Sequence, residues 1–123
     1  MTTANALPAA SGTGRRITAW TLSGIAALGF VFVGAGKLAG TAEMVGLFDK
    51  VGLGQWLRYL TGLLEVGAGI ALLIPRYAFY AAVVLIGVMF GAIVTHVAAI
   101  GGSPAPAAVL LVLSGIIAYL RRP

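Results

Sequence analysis

The sequence predicts an all-α fold, a bundle of four transmembrane helices with a short amphipathic helix between helices 1 and 2. One observation is composition: 60 % of the 123 residues are apolar and 9 % are charged, whereas soluble domains are about 45–50 % apolar and about 25 % charged. The other is pattern, because four long apolar stretches recur along the chain. The net charge of +5 reflects a scarcity of acids. An ordinary soluble domain, a disordered chain and a nucleic-acid-binding protein are therefore excluded.

The first predicted element is a transmembrane helix over residues 17–38. A hydrocarbon core of about 30 Å requires about 20 helical residues, and this run is long enough. Residues 1–16 are small and polar and end in Arg15 and Arg16, so we expect a disordered cytoplasmic tail. Lys37 stands where a signal peptide would need its cleavage site, which predicts a retained helix.

The long connection over residues 39–55 predicts a short amphipathic helix that lies in the membrane interface. Thr41 can cap its start and Gly52 its end. Its apolar face consists of Met44, Val45, Phe48 and Val51, with Glu43, Asp49 and Lys50 off that face. Such a helix lies on a membrane rather than across it.

Three further transmembrane helices are predicted downstream. The second covers residues 56–74 and stops at Pro75, and the third covers residues 77–100. The fourth covers residues 104–120, with Ser103 as its N-cap and a proline in its first turn. The four spans and their connections form one predicted domain over residues 17–122.

Basic residues predict the orientation of the bundle. Four spans place both termini on the same side of the membrane. That side carries Arg15, Arg16, Arg76, Arg121 and Arg122, and the other carries Lys37, Lys50 and Arg58. Because cytoplasmic loops carry the excess of Lys and Arg, both termini are predicted to be cytoplasmic. The chain is then a multi-pass protein of the cytoplasmic (inner) membrane with the amphipathic helix on the outer face.

Glu65 is the outstanding candidate for chemistry because it lies near the middle of the second span. An ionised carboxylate there costs about 2.5–3.5 kcal/mol, so it must be paired with a cation, protonated or hydrated. A single helical stripe contains Arg58, Gly62, Glu65, Gly69, Leu72 and Arg76. Since glycines beside the acid let a neighbouring helix approach closely, this stripe is predicted to face protein.

Four further polar side chains are predicted to share the outer half of the bundle with Glu65. They are Lys37, Arg58, Thr61 and His96. The functional interpretation is a cluster that binds a ligand or handles protons. The structural interpretation is that Glu65 pairs with Arg58 or His96 to fix the helix register, while Lys37 and Arg58 anchor the interface.

Several kinds of site are excluded by residue counts. The chain has no cysteine and one histidine, which excludes disulfides, thiolate metal sites and a haem held by two histidines of this chain. A zinc or di-iron site needs more histidines and carboxylates than are present. No metal site is predicted, and no catalytic residue is identified.

Four short segments are followed by a helix with Met89 and His96; the segments are Gly36–Leu38, Gly52–Tyr59, Gly62–Glu65 and Leu72–Pro75. In order and spacing they resemble the DoxX-like family of small four-helix integral membrane proteins. The resemblance covers about residues 30–96. The family takes its name from a subunit linked to quinone-coupled oxidation, and relatives accompany oxidative-stress systems. The resemblance therefore implies an accessory subunit of a quinone-linked or oxidative-stress-related membrane redox system, with quinone as its candidate cofactor.

Two other functions stay open at this point. One is a non-enzymatic membrane assembly protein whose polar cluster only fixes helix packing. The other is a small proton-coupled transporter acting as a homodimer. The expected partners are the lipid bilayer and either a redox protein or a second copy of the chain. Enzymatic activity is undecided, because no self-contained catalytic or redox centre is visible in the sequence.

Overall fold

A computed structural model of the chain describes the backbone of residues 2–123 and the side chains of residues 12–123. Within this part every regular element is helical. The helices are α1 (Thr2–Ala39), α2 (Ala42–Val51), α3 (Trp56–Ala71), α4 (Ala78–Thr95) and α5 (Ala105–Arg121), with a π-helical segment, His96–Ile100, continuing α4. The all-α prediction is therefore confirmed.

The first helix is longer than the sequence predicts. It begins at Thr2, so residues 2–16, which were expected to form a disordered tail, continue the helix expected to start at residue 17. Once a helix exists, each further residue adds a hydrogen bond without repeating the cost of nucleation. This segment also contains four alanines, the residue with the highest helix propensity.

The capped amphipathic helix between the first two long helices is confirmed as α2. The Thr41 hydroxyl accepts a hydrogen bond from the Met44 N–H at 3.3 Å. Gly52 ends the helix at φ +79°, and its N–H donates to the Phe48 carbonyl at 3.3 Å. A residue with a Cβ adopts this left-handed conformation only with strain, which explains the glycine. Phe48 is buried, whereas the charged residues of α2 are exposed.

The third helix is shorter than the predicted second span. It ends at Ala71 instead of residue 74, and the N–H groups of Leu73 and Ile74 bond to carbonyls three residues back. The cause is Pro75, which disfavours the helical conformation of the residue before it. Arg76 is therefore exposed and does not belong to the buried stripe. The 16 residues of α3 extend about 24 Å, less than a hydrocarbon core of about 30 Å.

Two helical segments are long and apolar enough to cross a membrane. Among the residues described, they are Gly12–Ala39 and Ala78–Ile100, and α5 is a shorter apolar helix. Length and composition thus indicate two candidate membrane spans in the part of the chain that the structure describes. Helix α5, which corresponds to the fourth predicted span, begins at Ala105 with Pro104 at its N-cap. The Ser103 hydroxyl accepts a hydrogen bond from the Ala105 N–H at 3.2 Å.

The long helices pack as two pairs around a core that combines alanines with a few large apolar side chains. Helix α1 packs mainly on α3 and α4 mainly on α5, and the pairs meet through α3–α4 and α1–α5 contacts. The fully buried core includes Ala26, Phe30, Ala82, Leu85 and Ile117. Large apolar side chains also cover the outer surface: Leu28, Phe32 and Val97 are 76 %, 79 % and 75 % exposed. Helices that are apolar on every side suit a lipid environment.

Side-chain contacts define the two ends of the bundle. The Arg15 guanidinium donates to the carbonyls of Tyr119 at 3.1 Å and Leu120 at 3.0 Å. The Arg121 guanidinium lies 4.9 Å from the centre of the Trp20 ring. This basic end therefore joins the first half of α1 to the end of α5. The opposite end, called the α2 end, carries α2, Lys37, Arg58 and the π-helical segment.

Candidate functional site

Two glycines bring the backbones of α1 and α3 into contact at the α2 end. A Cβ atom on Gly34 would lie 2.8 Å from a Val66 methyl carbon and 2.9 Å from the Gly62 carbonyl oxygen. A Cβ atom on Gly62 would lie 3.0 Å from the Cβ of Lys37. The stripe of α3 that contains Gly62 and Glu65 therefore faces α1, which agrees with the prediction that it faces protein, and the missing side chains allow the close approach.

Lys37 and Glu65 form a buried ion pair across this contact. The Lys37 Nζ donates a hydrogen bond to the Glu65 Oε1. Glu65 is 0 % exposed and Lys37 is 8 % exposed. The ammonium also lies 5.8 Å from the centre of the Phe48 ring, a favourable cation–π position. Among the described residues, the cationic partner of Glu65 is thus Lys37, and neither Arg58 nor His96 forms a hydrogen bond or an ion pair with the carboxylate. Lys37 points into the bundle instead of anchoring the interface.

One oxygen of the carboxylate is left without a partner. The Glu65 Oε2 is buried and accepts no hydrogen bond from any described residue. Buried polar atoms in proteins are nearly always hydrogen-bonded. Among the described residues of the site, this oxygen is the one buried polar side-chain atom without a partner.

Arg58 stabilises the end of α1 instead of pairing with Glu65. Its Nη1 donates to the Lys37 carbonyl oxygen, one of the last four carbonyls of a helix, which lack a regular helical partner. Its Nε donates to the Gln55 Oε1 at 2.7 Å. A cation at a helix C-terminus is also favoured by the helix dipole. Arg58 therefore positions the residue that holds the carboxylate.

Gln55 connects α2 to α3 and was not identified as a site residue from the sequence. Its Nε2 donates to the Val45 carbonyl at 3.1 Å and to the Asp49 Oδ1 at 2.9 Å, while its Oε1 accepts the bond from Arg58. The sequence pattern that could have indicated it is the spacing of Gln55 three residues before Arg58 at the start of a helix, which places both side chains on one face.

Thr61 and His96 lie near the ion pair without bonding to it. The Thr61 hydroxyl donates to the Leu57 carbonyl at 2.9 Å. The His96 Nδ1 lies 2.9 Å from the Ala92 carbonyl oxygen. Of the five predicted residues, the structure thus joins Lys37 to Glu65 and Arg58 to the Lys37 backbone. Thr61 and His96 both line the cavity beside the pair.

A cavity of about 420 Å³ lies against the ion pair. All five α-helices contribute to its walls, and α2 closes it with apolar side chains that include Leu47, Phe48 and Val51. Polar side chains reach it at few positions, namely Lys37, Thr61, Glu65, Thr95 and His96. Small-molecule sites have volumes of about 300–1,000 Å³, apolar walls and a few convergent polar groups. The cavity has each of these properties.

Comparison with protein families identifies the chain. Residues 21–119 match the model of the DoxX-like family. The chain belongs to the DoxX-like family. The match confirms the resemblance and extends it beyond residues 30–96 to most of α5. Comparisons with curated proteins and with solved structures gave no match. Membership of this family, together with the two long apolar helices, indicates a small membrane protein that associates with the lipid bilayer.

Proposed function

We propose that this DoxX-like protein binds a lipid-soluble, quinone-type molecule and acts as an accessory subunit of a membrane redox system. The observation that carries the proposal is the apolar cavity with the buried Lys37–Glu65 pair in its wall. A planar ring with polar oxygens and an apolar tail suits such a cavity, because the walls take the ring and tail while the ammonium donates to an oxygen. The protein would hold and orient the molecule, and the partner subunit would transfer the electrons.

We place the cavity in a bundle in which α1, α3, α4 and α5 all span the membrane. Helices α3 and α5 are short, and a short span is accommodated by local thinning of the bilayer and by flanking residues that reach the interface. Their packing against α1 and α4 supports this arrangement. Contacts of Arg15 with the end of α5 keep both ends on one side, and the excess of basic residues there favours the cytoplasm. The cavity then lies in the outer half of the membrane, below α2.

The test is to purify the full chain from its native membrane in mild detergent and to extract what remains bound. We expect a quinone-type molecule in the extract and a redox protein among the co-purifying chains. Titration of the delipidated protein with a short-chain benzoquinone should show saturable binding and gives its affinity.

A matched pair of variants assigns this binding to the cavity. Gly91 lines the cavity, and no atom lies within 4 Å of the position of an added Cβ, so Gly91→Leu should occupy part of the cavity and weaken binding. Gly24 has the same open surroundings in α1 but does not line the cavity, so Gly24→Leu should bind normally. Equal binding by both variants, or no binding by the parent protein, contradicts the proposal.

A structural role is the second candidate, and the position of the ion pair favours it. The pair joins α1 and α3 where their backbones touch, so it also contributes to helix register. If the protein has only an assembly role, the double variant Lys37→Leu/Glu65→Leu, which removes both charges, should still co-purify with the partner. Neither the parent protein nor the variant should then bind a quinone. Substrate-dependent proton flux in liposomes would instead favour the transporter.

A further inference from the structure

The unpartnered Glu65 Oε2 belongs to a side chain that lines the cavity. The Glu65 side chain is fully buried, its Oε1 accepts from Lys37, and its Oε2 accepts from no described residue. The same side chain lines the cavity. A buried acceptor without a donor is destabilising, and it is tolerated when a ligand supplies the missing donor.

Two neighbouring donors of the protein, Thr61 and Arg58, are engaged with other groups. The Thr61 hydroxyl bonds to Leu57, and Arg58 bonds to the Lys37 backbone and to Gln55. The Lys37 ammonium has three N–H groups and uses one of them on Oε1. Two side chains of the cavity lining therefore combine an acceptor without a donor, the Glu65 Oε2, with a cation that has unused N–H groups, Lys37.

We propose that the cavity selects the reduced, hydroxyl-bearing form of its quinone-type ligand over the oxidised dione; this inference rests on the proposed function. An aromatic hydroxyl donates its hydrogen to the Glu65 Oε2 and accepts from the Lys37 Nζ. A dione carbonyl accepts from Lys37 equally well, but it has no hydrogen to donate and leaves Oε2 buried and unpaired. A hydrogen bond to a carboxylate is among the stronger kinds of hydrogen bond. The difference in binding affinity between the diol and the dione therefore arises at this oxygen.

Selective binding of the reduced form has a thermodynamic consequence. Conversion of the dione to the diol takes up two electrons and two protons, which the redox partner and its surroundings supply. Because binding and reduction are linked, tighter binding of the diol makes the bound ligand easier to reduce than the free ligand. Each tenfold preference corresponds to a rise of about 30 mV in the potential of this two-electron couple.

The experiment compares three probes with the full chain in detergent or nanodiscs under anaerobic conditions. The probes are a short-chain benzoquinol, its benzoquinone and the dimethyl ether of the quinol, which keeps the ring and has no hydroxyl donor. We expect the quinol to bind about tenfold to a hundredfold more tightly than the other two. Equal affinities for all three overturn the inference and leave the proposed function intact. The absence of saturable binding by any probe overturns the proposed function itself.

Two glutamine variants locate the selectivity. Glu65→Gln places an amide N–H₂ beside the cavity, which donates to a carbonyl, so the preference should disappear or shift toward the dione. Glu43→Gln makes the same change at an exposed position of α2 and should keep the parental preference. An unchanged preference in a folded Glu65→Gln protein contradicts the assignment of Oε2. If this variant does not fold, the three-probe comparison on the parent protein decides the question.

Discussion

Lys37, near the end of α1, and Glu65, in the middle of α3, form a buried ion pair at the place where glycines bring the two helix backbones together. The pair joins the two helices, and both of its side chains also line the cavity. Variants that separate packing from charge can therefore distinguish helix assembly from ligand binding.

Removing one charge of the Lys37–Glu65 pair should lower the free energy of unfolding more than removing both charges. Glu65→Leu leaves the Lys37 ammonium buried without its partner, and loss of one member of a buried pair costs about 3–5 kcal/mol. The double variant Lys37→Leu/Glu65→Leu should recover most of this loss, because no charge stays buried. The free energy of unfolding in mixed micelles measures both. The exposed control Glu43→Leu should change it by less than about 0.5 kcal/mol. Additive losses in the double variant would contradict the pairing.

Adding one methyl group at Gly34 should weaken the α1–α3 contact. The Cβ of Gly34→Ala would lie 2.8 Å from the Val66 methyl carbon and 2.9 Å from the Gly62 oxygen, so the helices must separate. We expect a loss of about 1–3 kcal/mol in the free energy of unfolding. Gly36→Ala on the same helix has no atom within 4 Å of its Cβ and should gain up to about 1 kcal/mol from helix propensity. Equal stability of the two variants would argue against the close approach.

Loss of the Gln55 side chain should loosen α2 while the long helices stay packed. Gln55→Ala removes the two bonds to α2 and the bond to Arg58. Hydrogen exchange of the α2 amides should become faster, with little change in the centres of α1 and α4. Lys50→Ala alters an exposed residue of α2 and should exchange at the parental rate. Uniform acceleration along the chain would mean that Gln55 supports the whole bundle.

The proposed orientation predicts a labelling pattern that the cysteine-free sequence makes simple to read. Single cysteines at Glu43 and Asp49 should react with an impermeant thiol reagent added outside intact cells. A cysteine at Arg122, or a protease-sensitive tag at either terminus, should react only after the membrane is opened. A cysteine at Gly69, which faces Phe30 and Val31, should stay protected in both conditions. External labelling of Arg122 would reverse the orientation.

The features predicted correctly from the sequence depend on composition and on short-range order. Hydropathy alone indicates an apolar helical protein, because a helical segment in lipid must satisfy its backbone hydrogen bonds within itself. The limits of α2 follow from Thr41 and Gly52, because capping uses atoms within one helical turn. The orientation of Gly62 and Glu65 toward another helix follows from their spacing on one face. Residues 2–16 show the limit of this reasoning, because a polar composition indicated a tail where the helix continues.

The tertiary structure alone decided which groups meet. Lys37 and Glu65 are 28 positions apart, and their pairing depends on which helices pack and on the small separation that Gly34 and Gly62 allow. Arg58 lies on the same face as Glu65 yet bonds to a backbone carbonyl, because the end of α1 presents one within its reach. The unpartnered Glu65 Oε2 is likewise a property of the assembled walls. Sequence spacing determines the face of a helix on which a side chain lies, whereas its partner is determined by the helix that packs against that face.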